Sequence, residues 1–282
     1  MGKFTGVLLV SDYDNTLVDT ERARHGNGEP PRVSDRNREA LEYFMGQGGR
    51  FAVATGRALP ALEGFADQIP MNAPSVVCNG AALYDFSVRQ YLDHIPLDAA
   101  VSGCCQEALE RFPTVAVEIY PLLESVIYAF RPNQYTRQHE GLTRTEAREV
   151  ASLLEVPQPL TKILFEDDRD TLEALAAHLR GQPWIHGCEL VFSTAFLLEL
   201  TGRGANKGGM VRRLADRLGI APEHIYCVGD EANDLPMLRM AAQGFAPANC
   251  SPAVRESGAE IVADCAHDAL VDVVERLEKK YG

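Results

Sequence analysis

The sequence contains no run of eighteen consecutive apolar residues, the length that a membrane-spanning helix needs. It has no run of Lys or Arg either, and its 27 basic residues are outnumbered by 40 acidic ones, which gives a formal net charge of −13. A surface of that charge repels nucleic-acid phosphates and anionic lipid headgroups. We therefore expect neither a nucleic acid nor a membrane as a partner.

Paired cysteines are also lacking. The seven cysteines are odd in number and contain no C-x-x-C motif, which argues against a disulfide framework. The first apolar run, Val7 to Val10, precedes acidic residues and has no small-residue cleavage site, so it is predicted to be a strand rather than a signal peptide. These features favour a cytoplasmic protein and leave open whether it is a monomer or a homodimer.

Short apolar runs that end in polar residues indicate a parallel sheet. They are Val7 to Val10 before Asp12, Phe51 to Ala54 before Thr55, Ser75 to Cys78 before Asn79, and Ile225 to Val228 before Asp230. Such runs are typical of strands covered by helices on both faces. Helical patterns occur between them at Ser34 to Gly46, Leu59 to Gln68, Asn206 to Leu218 and Pro236 to Ala242. Ser34 is predicted to be the N-cap of the first helix, after a loop at Glu21 to Pro31. The alternation predicts an α/β fold with a doubly wound, Rossmann-like parallel sheet.

Residues 84–200 follow a different pattern, with helices and paired strands in α+β order. Helices are predicted at Asp98 to Phe112, Thr143 to Leu154 and Asp170 to Leu179, and strands at Val115 to Ile119, Val126 to Phe130, Lys162 to Phe165, Leu190 to Phe192 and Phe196 to Leu200. The parallel-sheet pattern resumes only after the turn-forming segment Gly202 to Gly204. We therefore expect a core domain at residues 1–83 and 201–282, with an α+β cap domain at residues 84–200 inserted into it.

The polar residues that follow the predicted strands are expected to meet, because open parallel sheets bind ligands at the carboxyl ends of their strands. Asp12 and Asp14 come just after the first strand, and in an extended path side chains two positions apart project the same way. One carboxylate could then attack a substrate while the other transfers a proton.

A carboxylate that attacks an anionic phosphate needs positive charge and hydrogen-bond donors beside it. Thr55 and Gly56 offer a hydroxyl and a backbone N–H, and Lys207 offers an ammonium near a helix start. Asp230 and Asp234 offer oxygen ligands with no His or Cys among them, which favours Mg²⁺ over Zn²⁺.

Taken in order, these segments resemble the motifs of the haloacid dehalogenase-like hydrolases, and in particular the Cof-type sugar phosphatases, which carry an α+β cap between their second and third motifs. The segments are Asp12 to Leu17, Ala54 to Arg57, Asn206 to Gly208 and Gly229 to Asp234, and Asn79 to Ala81 matches a further turn of that branch. Each is short, but the whole series, each member at a predicted strand or helix end, is a specific signal. Asn15 stands where glycine is usual, and Asn tolerates a left-handed backbone.

The resemblance implies a Mg²⁺-dependent hydrolase of a small phosphate ester. Asp12 would be the nucleophile that forms an aspartyl-phosphate, Asp14 the acid and base, and Lys207 the group that neutralises Asp12 and the phosphate. By the same resemblance, Thr55 would hold the phosphoryl group. The metal would be bound by Asp12, Asp14, Asp230 and Asp234, and the substrate would be bound by Gly56, Arg57, Asn79 and Asn233. Arg57 could instead hold a carboxylate or backbone groups in place.

Several alternatives stay open. A phosphosugar mutase of the same superfamily shares the paired aspartates, but it would need a bisphosphate activator and release no free phosphate. A phosphonate or dehalogenating hydrolase lacks or does not need Asp14, and a non-catalytic metabolite-binding protein on this fold has no use for an acid and base beside a nucleophile. Specificity is expected from polar cap residues such as Arg131, Arg137 and Lys162, and the sequence does not reveal the natural substrate.

Overall fold

The computed structural model describes residues 2–25, 32–122, 124 and 126–282. Its strands are β1 (Leu8–Ser11), β2 (Arg50–Val53), β3 (Ser75–Val77), β4 (Ala82–Asp85), β5 (Gln90–His94), β6 (Ala116–Pro121), β7 (Ile127–Phe130), β8 (Ala147–Val150), β9 (Leu160–Glu166), β10 (Cys188–Thr194), β11 (Leu197–Gly202), β12 (Ile225–Val228), β13 (Gln243–Pro247) and β14 (Glu260–Val262). Its α-helices are α1 (Thr20–His25), α2 (Asp35–Gly46), α3 (Leu59–Glu63), α4 (Val101–Ala108), α5 (Gln134–Thr143), α6 (Arg169–Arg180), α7 (Lys207–Leu218), α8 (Leu235–Met240), α9 (Pro252–Arg255) and α10 (Ala269–Tyr281).

The core is a five-stranded parallel sheet with the strand order β14-β13-β12-β1-β2. Successive side chains of a strand project to opposite faces, and β1 shows what covers each face. Leu9 belongs to one apolar cluster with Phe44 of α2 and Val273 of α10, whereas Leu8 belongs to another with Met210 and Leu214 of α7. Helices therefore cover both faces, and the predicted doubly wound sheet is confirmed.

Side-chain caps set the starts of two core helices. The hydroxyl of Ser34 accepts a hydrogen bond from the backbone N–H of Asn37, and the side chain of Asn206 accepts one from that of Gly209. The capping role predicted for Ser34 is thus confirmed. The loop predicted at Glu21 to Pro31 is wrong in its first part, because helix α1 extends to His25, and residues 26–31 lie outside the described part of the chain.

The cap contains a six-stranded sheet with the order β10-β11-β9-β6-β7-β8, antiparallel except where β7 and β8 pair. Apolar side chains on one face pack against α4 and α6. The strands β6, β9 and β11 carry a second set of side chains in alternate positions, and these are polar although they are buried. They are Glu118, Tyr120, Lys162, Glu166 and Glu199.

One cap helix was predicted in the wrong place. The pattern at Thr143 to Leu154 predicted a helix, but α5 ends at Thr143 and Ala147–Val150 forms strand β8, parallel to β7. The side chain of Asn133 caps α5 and Arg144 ends it with a left-handed φ of 55°. Pairing with β7 therefore overrides the helix propensity of this Glu-rich and Arg-rich segment.

The exact domain boundaries stay a prediction. Strands β3, β4 and β5 form a small antiparallel sheet of their own, so residues 84–94 pair with the segment before them rather than with the six-stranded sheet. Within the described ranges, no helix is both long enough and apolar enough to cross a membrane.

Candidate active site

Asp12 and Lys207 form the centre of the candidate site. Asp12 directly follows β1, and its backbone N–H donates to the carbonyl of Val228 at 2.8 Å, which fixes the loop to the neighbouring strand. Lys207 is the first residue of α7 and is 1% exposed; its Nζ lies 2.6 Å from Oδ1 of Asp12 and 2.6 Å from Oδ1 of Asp234. The predicted neutralisation of Asp12 by Lys207 therefore has a direct geometric basis.

Burial and charge shift the pKa values of this group in opposite directions. Burial raises the pKa of Asp12 above its ordinary value, and Lys207 opposes that shift. Burial lowers the pKa of Lys207, but the charges of Asp12 and Asp234 outweigh it and leave that pKa above its ordinary value. Lys207 is therefore a permanent cation beside Asp12.

Asp14 is held by Arg57. The Nε and Nη2 atoms of Arg57 donate to the two carboxylate oxygens of Asp14 at 2.9 and 2.8 Å, and the hydroxyl of Thr20 donates to Oδ1 at 2.6 Å. Burial raises the pKa of Asp14, but the Arg57 guanidinium and these hydrogen bonds outweigh it and bring the pKa below its ordinary value. Asp14 is therefore ionised in this arrangement, and the second of the two roles considered for Arg57 is the one it has here.

Asp230 and Asp234 occupy the loop after β12 and have different surroundings. Oδ2 of Asp234 accepts hydrogen bonds from the backbone N–H groups of Asp230 at 2.9 Å and Glu231 at 3.0 Å, while Oδ1 accepts from Lys207. Oδ1 of Asp230 accepts from the hydroxyl of Thr16 at 2.8 Å. Asp234 thus shapes the loop and orients Lys207, and Asp230 has fewer protein partners.

The donor set fits a hard divalent cation. Carboxylate oxygens of Asp12, Asp230 and Asp234 all lie within 4.8 Å of one another. Burial and the nearby charges of Asp12 and Asp234 raise the pKa of Asp230 to about 9 although Lys207 opposes that shift, so the cluster carries more negative charge than Lys207 balances. A cluster of oxygen ligands that is short of positive charge is the kind that binds Mg²⁺.

A cavity of about 320 Å³ opens beside these groups, between the core and the cap. Six of the predicted site residues line it: Asp12, Asp14, Gly56, Arg57, Asp230 and Asn233. The other four are buried behind the lining residues: Thr55, Asn79, Lys207 and Asp234. From the cap, Tyr120, His139 and Lys162 contribute to the wall, together with apolar side chains such as Ile127 and Leu197.

A chain of hydrogen bonds joins the core to the cap at this cavity. Asn233 donates to Asn79 at 2.8 Å, and Asn79 donates to Glu199 of β11 at 2.7 Å. Lys162 of β9 lies 3.3 Å from the same Glu199 carboxylate and donates to the carbonyl of Gly56 at 3.0 Å. Asn79 therefore connects Asn233 of the core to Glu199 of the cap, and Gly56 contacts the cap through its backbone carbonyl.

The three cap residues proposed from the sequence differ in their positions. Lys162 lines the cavity and is 3% exposed. Arg137 instead pairs with Glu140 on the surface, and Arg131 donates to the carbonyl of Leu109 and stacks over Phe130. Neither arginine is among the described residues that line the cavity. Of the three, the structure therefore favours only Lys162 as a residue that contacts substrate.

Sequence reasoning missed three residues that support the site, Thr16, Thr20 and Glu199, and left the role of a fourth, Asn249, open. Thr16 and Thr20 hold Asp230 and Asp14, Glu199 joins the core to the cap, and Asn249 donates to the backbone carbonyl of Asn15 at 2.8 Å. Thr16 lies inside the first motif and could have been found there. Asn15 itself has a φ of 54°, as expected for the residue that replaces glycine at this position.

Fold and site together place a buried carboxylate and a buried lysine beside a cavity, at the carboxyl edge of a parallel sheet, where open α/β folds bind their ligands. A model of the haloacid dehalogenase-like hydrolase family matches residues 9–274. The chain is 23% identical over 280 residues to the pyridoxal phosphate phosphatase YbhA of Escherichia coli K12, across 95% of this chain and 97% of that protein. It is 26% identical over 259 residues to a phosphoglycolate phosphatase of Methanopyrus kandleri, across 91% and 90% of the two chains.

Among solved structures, the sugar phosphatase BT4131, of subclass IIB of the same superfamily, matches with a TM-score of 0.81 at 20% identity, across 96% of this chain and 99% of that one. The chain belongs to the haloacid dehalogenase-like hydrolase family. The resemblance inferred from the motifs is thereby confirmed, and so is a parallel-sheet core with an inserted α+β cap.

Proposed function

We propose that this protein is a Mg²⁺-dependent phosphatase that hydrolyses a small sugar phosphate or a related organic phosphate through an aspartyl-phosphate on Asp12. The observation that carries the proposal is the contact of Asp12 with the buried ammonium of Lys207 at 2.6 Å, on the wall of a cavity that Asp14 also lines. A lone carboxylate would repel a phosphate, and Lys207 removes that obstacle. The names of the phosphatases similar to this chain support the same reaction class.

Two chemical steps follow from these positions. In the first, a carboxylate oxygen of Asp12 attacks phosphorus, the bond to the substrate's alcohol oxygen breaks, and Asp14 gives that oxygen a proton. In the second, water attacks the phosphorus of the aspartyl-phosphate, Asp14 takes up its proton, and inorganic phosphate leaves with the Asp12 carboxylate restored. Arg57 keeps Asp14 ionised, which suits the second step; in the first step Asp14 must hold a proton, so its pairing with Arg57 has to loosen when substrate binds.

Mg²⁺ would be held by Asp12, the backbone carbonyl of Asp14, and Asp230, and when bound it would neutralise charge on the phosphoryl oxygens. The sequence predicts Asp234 as a direct ligand as well, but its carboxylate already binds Lys207 and two backbone N–H groups. We therefore propose that it positions Lys207 and the loop of Asp230. Thr55 accepts a hydrogen bond from the backbone N–H of Arg57 at 3.1 Å, which orders the loop proposed to receive the phosphoryl group.

The cavity supports a small-molecule substrate. Its volume of about 320 Å³ is at the low end of the range for small-ligand pockets. The cap supplies both apolar contacts and the cation Lys162 for the leaving alcohol. A cytoplasmic location, a core at residues 1–83 and 201–282, and a monomeric or homodimeric state stay predictions.

The test is inorganic phosphate release from a panel of sugar phosphates, glycerol phosphates, pyridoxal phosphate and nucleotides, with Mg²⁺ or with EDTA. We expect release from at least one ester with Mg²⁺, little with EDTA, and none from Asp12→Asn. Asp67→Asn, a change at an exposed aspartate, is the matched control and should leave the rate unchanged. A wild-type protein that converts an ester to its isomer only with a bisphosphate activator, and frees no phosphate, would instead be a mutase.

A further inference from the structure

A second group of metal-ligating side chains lies in the cap, apart from the aspartates of the core. Glu118 of β6, His139 of α5 and Glu166 of β9 place one ligand atom each within 4.8 Å of one another. Nδ1 of His139 is 2.9 Å from Oε2 of Glu118 and 3.4 Å from Oε1 of Glu166. The two glutamates are on one face of the cap sheet because Ala116 pairs with Glu166 and the side chains of Ala116 and Glu118 share a face.

The oxygens of this cluster are not satisfied by the protein. Glu118 and Glu166 are 1% and 0% exposed, yet Oε1 of Glu118 and both carboxylate oxygens of Glu166 have no hydrogen-bond partner among the described residues. Tyr120 donates to the other oxygen of Glu118. Buried carboxylates are costly unless they are paired or bind a metal, and only Oε1 of Glu166 has an ionic contact among the described residues, to His139 at 3.4 Å, so these three oxygens require an explanation.

Among the described residues, no lysine or arginine bonds to these three oxygens. Lys162 lies on β9 four residues before Glu166, but its Nζ contacts the carbonyl of Gly56 and the carboxylate of Glu199, and it lies over the ring of Tyr120. One imidazole therefore faces two carboxylates. A divalent cation would balance both charges and bond to the free oxygens at once.

We propose that Glu118, His139 and Glu166 form a second divalent-cation site, in the cap, that takes a transition metal such as Zn²⁺ rather than Mg²⁺. An imidazole nitrogen with two carboxylates is a donor set of Zn²⁺ and its neighbours, whereas Mg²⁺ prefers oxygen ligands alone. Three protein ligands leave a further coordination position open. His139 also lines the cavity, so the ion would sit at the cap side of the space beside Asp12.

The competing arrangement is a shared proton. Burial and the adjacent Glu118 raise the pKa of Glu166 to about 9, so a proton on this carboxyl could reduce the excess charge without a metal. The two arrangements differ in whether the folded protein binds one equivalent of a transition metal at the cap, and this can be measured without any assay of activity.

The experiment uses the full-length Asp12→Asn, Asp230→Asn double variant, stripped of metals with a chelator, so that core ligands do not compete. Co²⁺ is added alone, because its visible absorption reports coordination by nitrogen and oxygen. We expect one equivalent to bind, Zn²⁺ to displace it and excess Mg²⁺ not to. Adding His139→Gln or Glu166→Gln should weaken Co²⁺ binding by about 100-fold or more, and Zn²⁺ should raise the Tm of the parent double variant.

The matched control is His178→Gln on the same background, since His178 is a cap histidine outside the cluster. It should bind Co²⁺ as the parent does. If the parent double variant does not bind one equivalent of Co²⁺, the proposal is overturned, whether or not the further variants fold. Equal binding in the parent, His139→Gln and Glu166→Gln, or an equal loss in His178→Gln, would also overturn it.

Discussion

Arg57 is the residue whose position says most about proton transfer in this site. It forms two hydrogen bonds with Asp14 and carries the charge that brings the pKa of Asp14 below its ordinary value against the effect of burial. The lowered pKa means that the protonated form of Asp14, which the first chemical step needs, is lost at a lower pH than for a free aspartate.

Arg57→Gln should therefore move the pH dependence of the reaction. Without the guanidinium, burial raises the pKa of Asp14, so the protonated acid persists to higher pH and the alkaline limb of kcat/KM shifts upward. The rate at the optimum should fall by about 100-fold because the acid is no longer held in place. Arg57→Lys, which keeps the charge but loses the two-point contact, should shift the limb less.

The measurement is a pH profile of kcat/KM for the best ester. Arg137→Gln, at an exposed arginine paired with Glu140, serves as the control and should match the wild type. An alkaline limb at the same pH in wild type and Arg57→Gln would mean that Arg57 does not control Asp14.

Motif spacing predicted the residues of the site better than their partners. Asp12, Asp14, Lys207 and Asp230 were placed at strand and helix ends by pattern alone, and the structure brings them together. The partner of Arg57 could not be chosen from sequence, because a guanidinium can bind either a phosphate or a carboxylate and 43 residues separate it from Asp14. The partner of Asn249 could not be chosen from sequence either, since a side-chain amide can contact almost any backbone group.

At the scale of elements, the start of α7 depends on a close approach of two loops. Gly80 has a φ of 96°, and a Cβ at that position would lie 2.2 Å from the backbone of Asn206. Asn206 caps α7, and Lys207 follows it directly. The turn after β3 thereby fixes the position of Lys207, the lysine proposed to take part in catalysis.

Gly80→Ala should be destabilising and should lower activity. The left-handed φ and the backbone clash together should cost about 2 kcal/mol or more of unfolding free energy, and displacement of α7 should weaken the contact of Lys207 with Asp12. Gly64→Ala is the control, because Gly64 has ordinary helical dihedrals and open space around it, and should change stability by less than about 0.5 kcal/mol. Urea unfolding and phosphate release measure both effects, and equal stability of the two variants would refute the account of this turn.

Elements of the core were easier to predict than those of the cap. The central core strands β1 and β12 are continuous apolar runs, and the core helices α2 and α7 begin at side-chain caps. In the cap, the segment at Ala147–Val150 has helix-forming residues but pairs with β7, a contact that local sequence does not show. The alternation of buried polar residues along β6, β9 and β11 does exist in the sequence, as Glu118 with Tyr120 and Lys162 with Glu166, and would have marked the face of the cap that meets the core.

For the whole molecule, Lys162 of the cap ties the cap to the core through the carbonyl of Gly56, and it is held in the cap by Glu199. Both Lys162 and Glu199 are buried, at 3% and 5% exposed. Removal of one partner of a buried ion pair leaves an uncompensated charge, so Lys162→Met should cost about 3 kcal/mol of unfolding free energy.

The pair can be tested by a double-variant cycle in urea unfolding. Lys162→Met with Glu199→Gln should recover part of the loss, since the neutral amide needs no counter-charge and can still contact Asn79. Arg137→Met, which breaks an exposed pair, should change stability far less than Lys162→Met does. Additive effects of Lys162→Met and Glu199→Gln would show that the two side chains do not stabilise each other.

The central claim is that Asp12 becomes covalently phosphorylated, and acid quenching of a single turnover tests it most directly. Enzyme in excess is mixed with the best ester, labelled in its phosphoryl group, in the presence of Mg²⁺, and the protein is isolated in acid. The account predicts label on the wild-type protein within the turnover, its release by hydroxylamine, and none on Asp12→Asn. Phosphate released at the full rate with no label on the protein at any time, or equal label on Asp12→Asn, would contradict it.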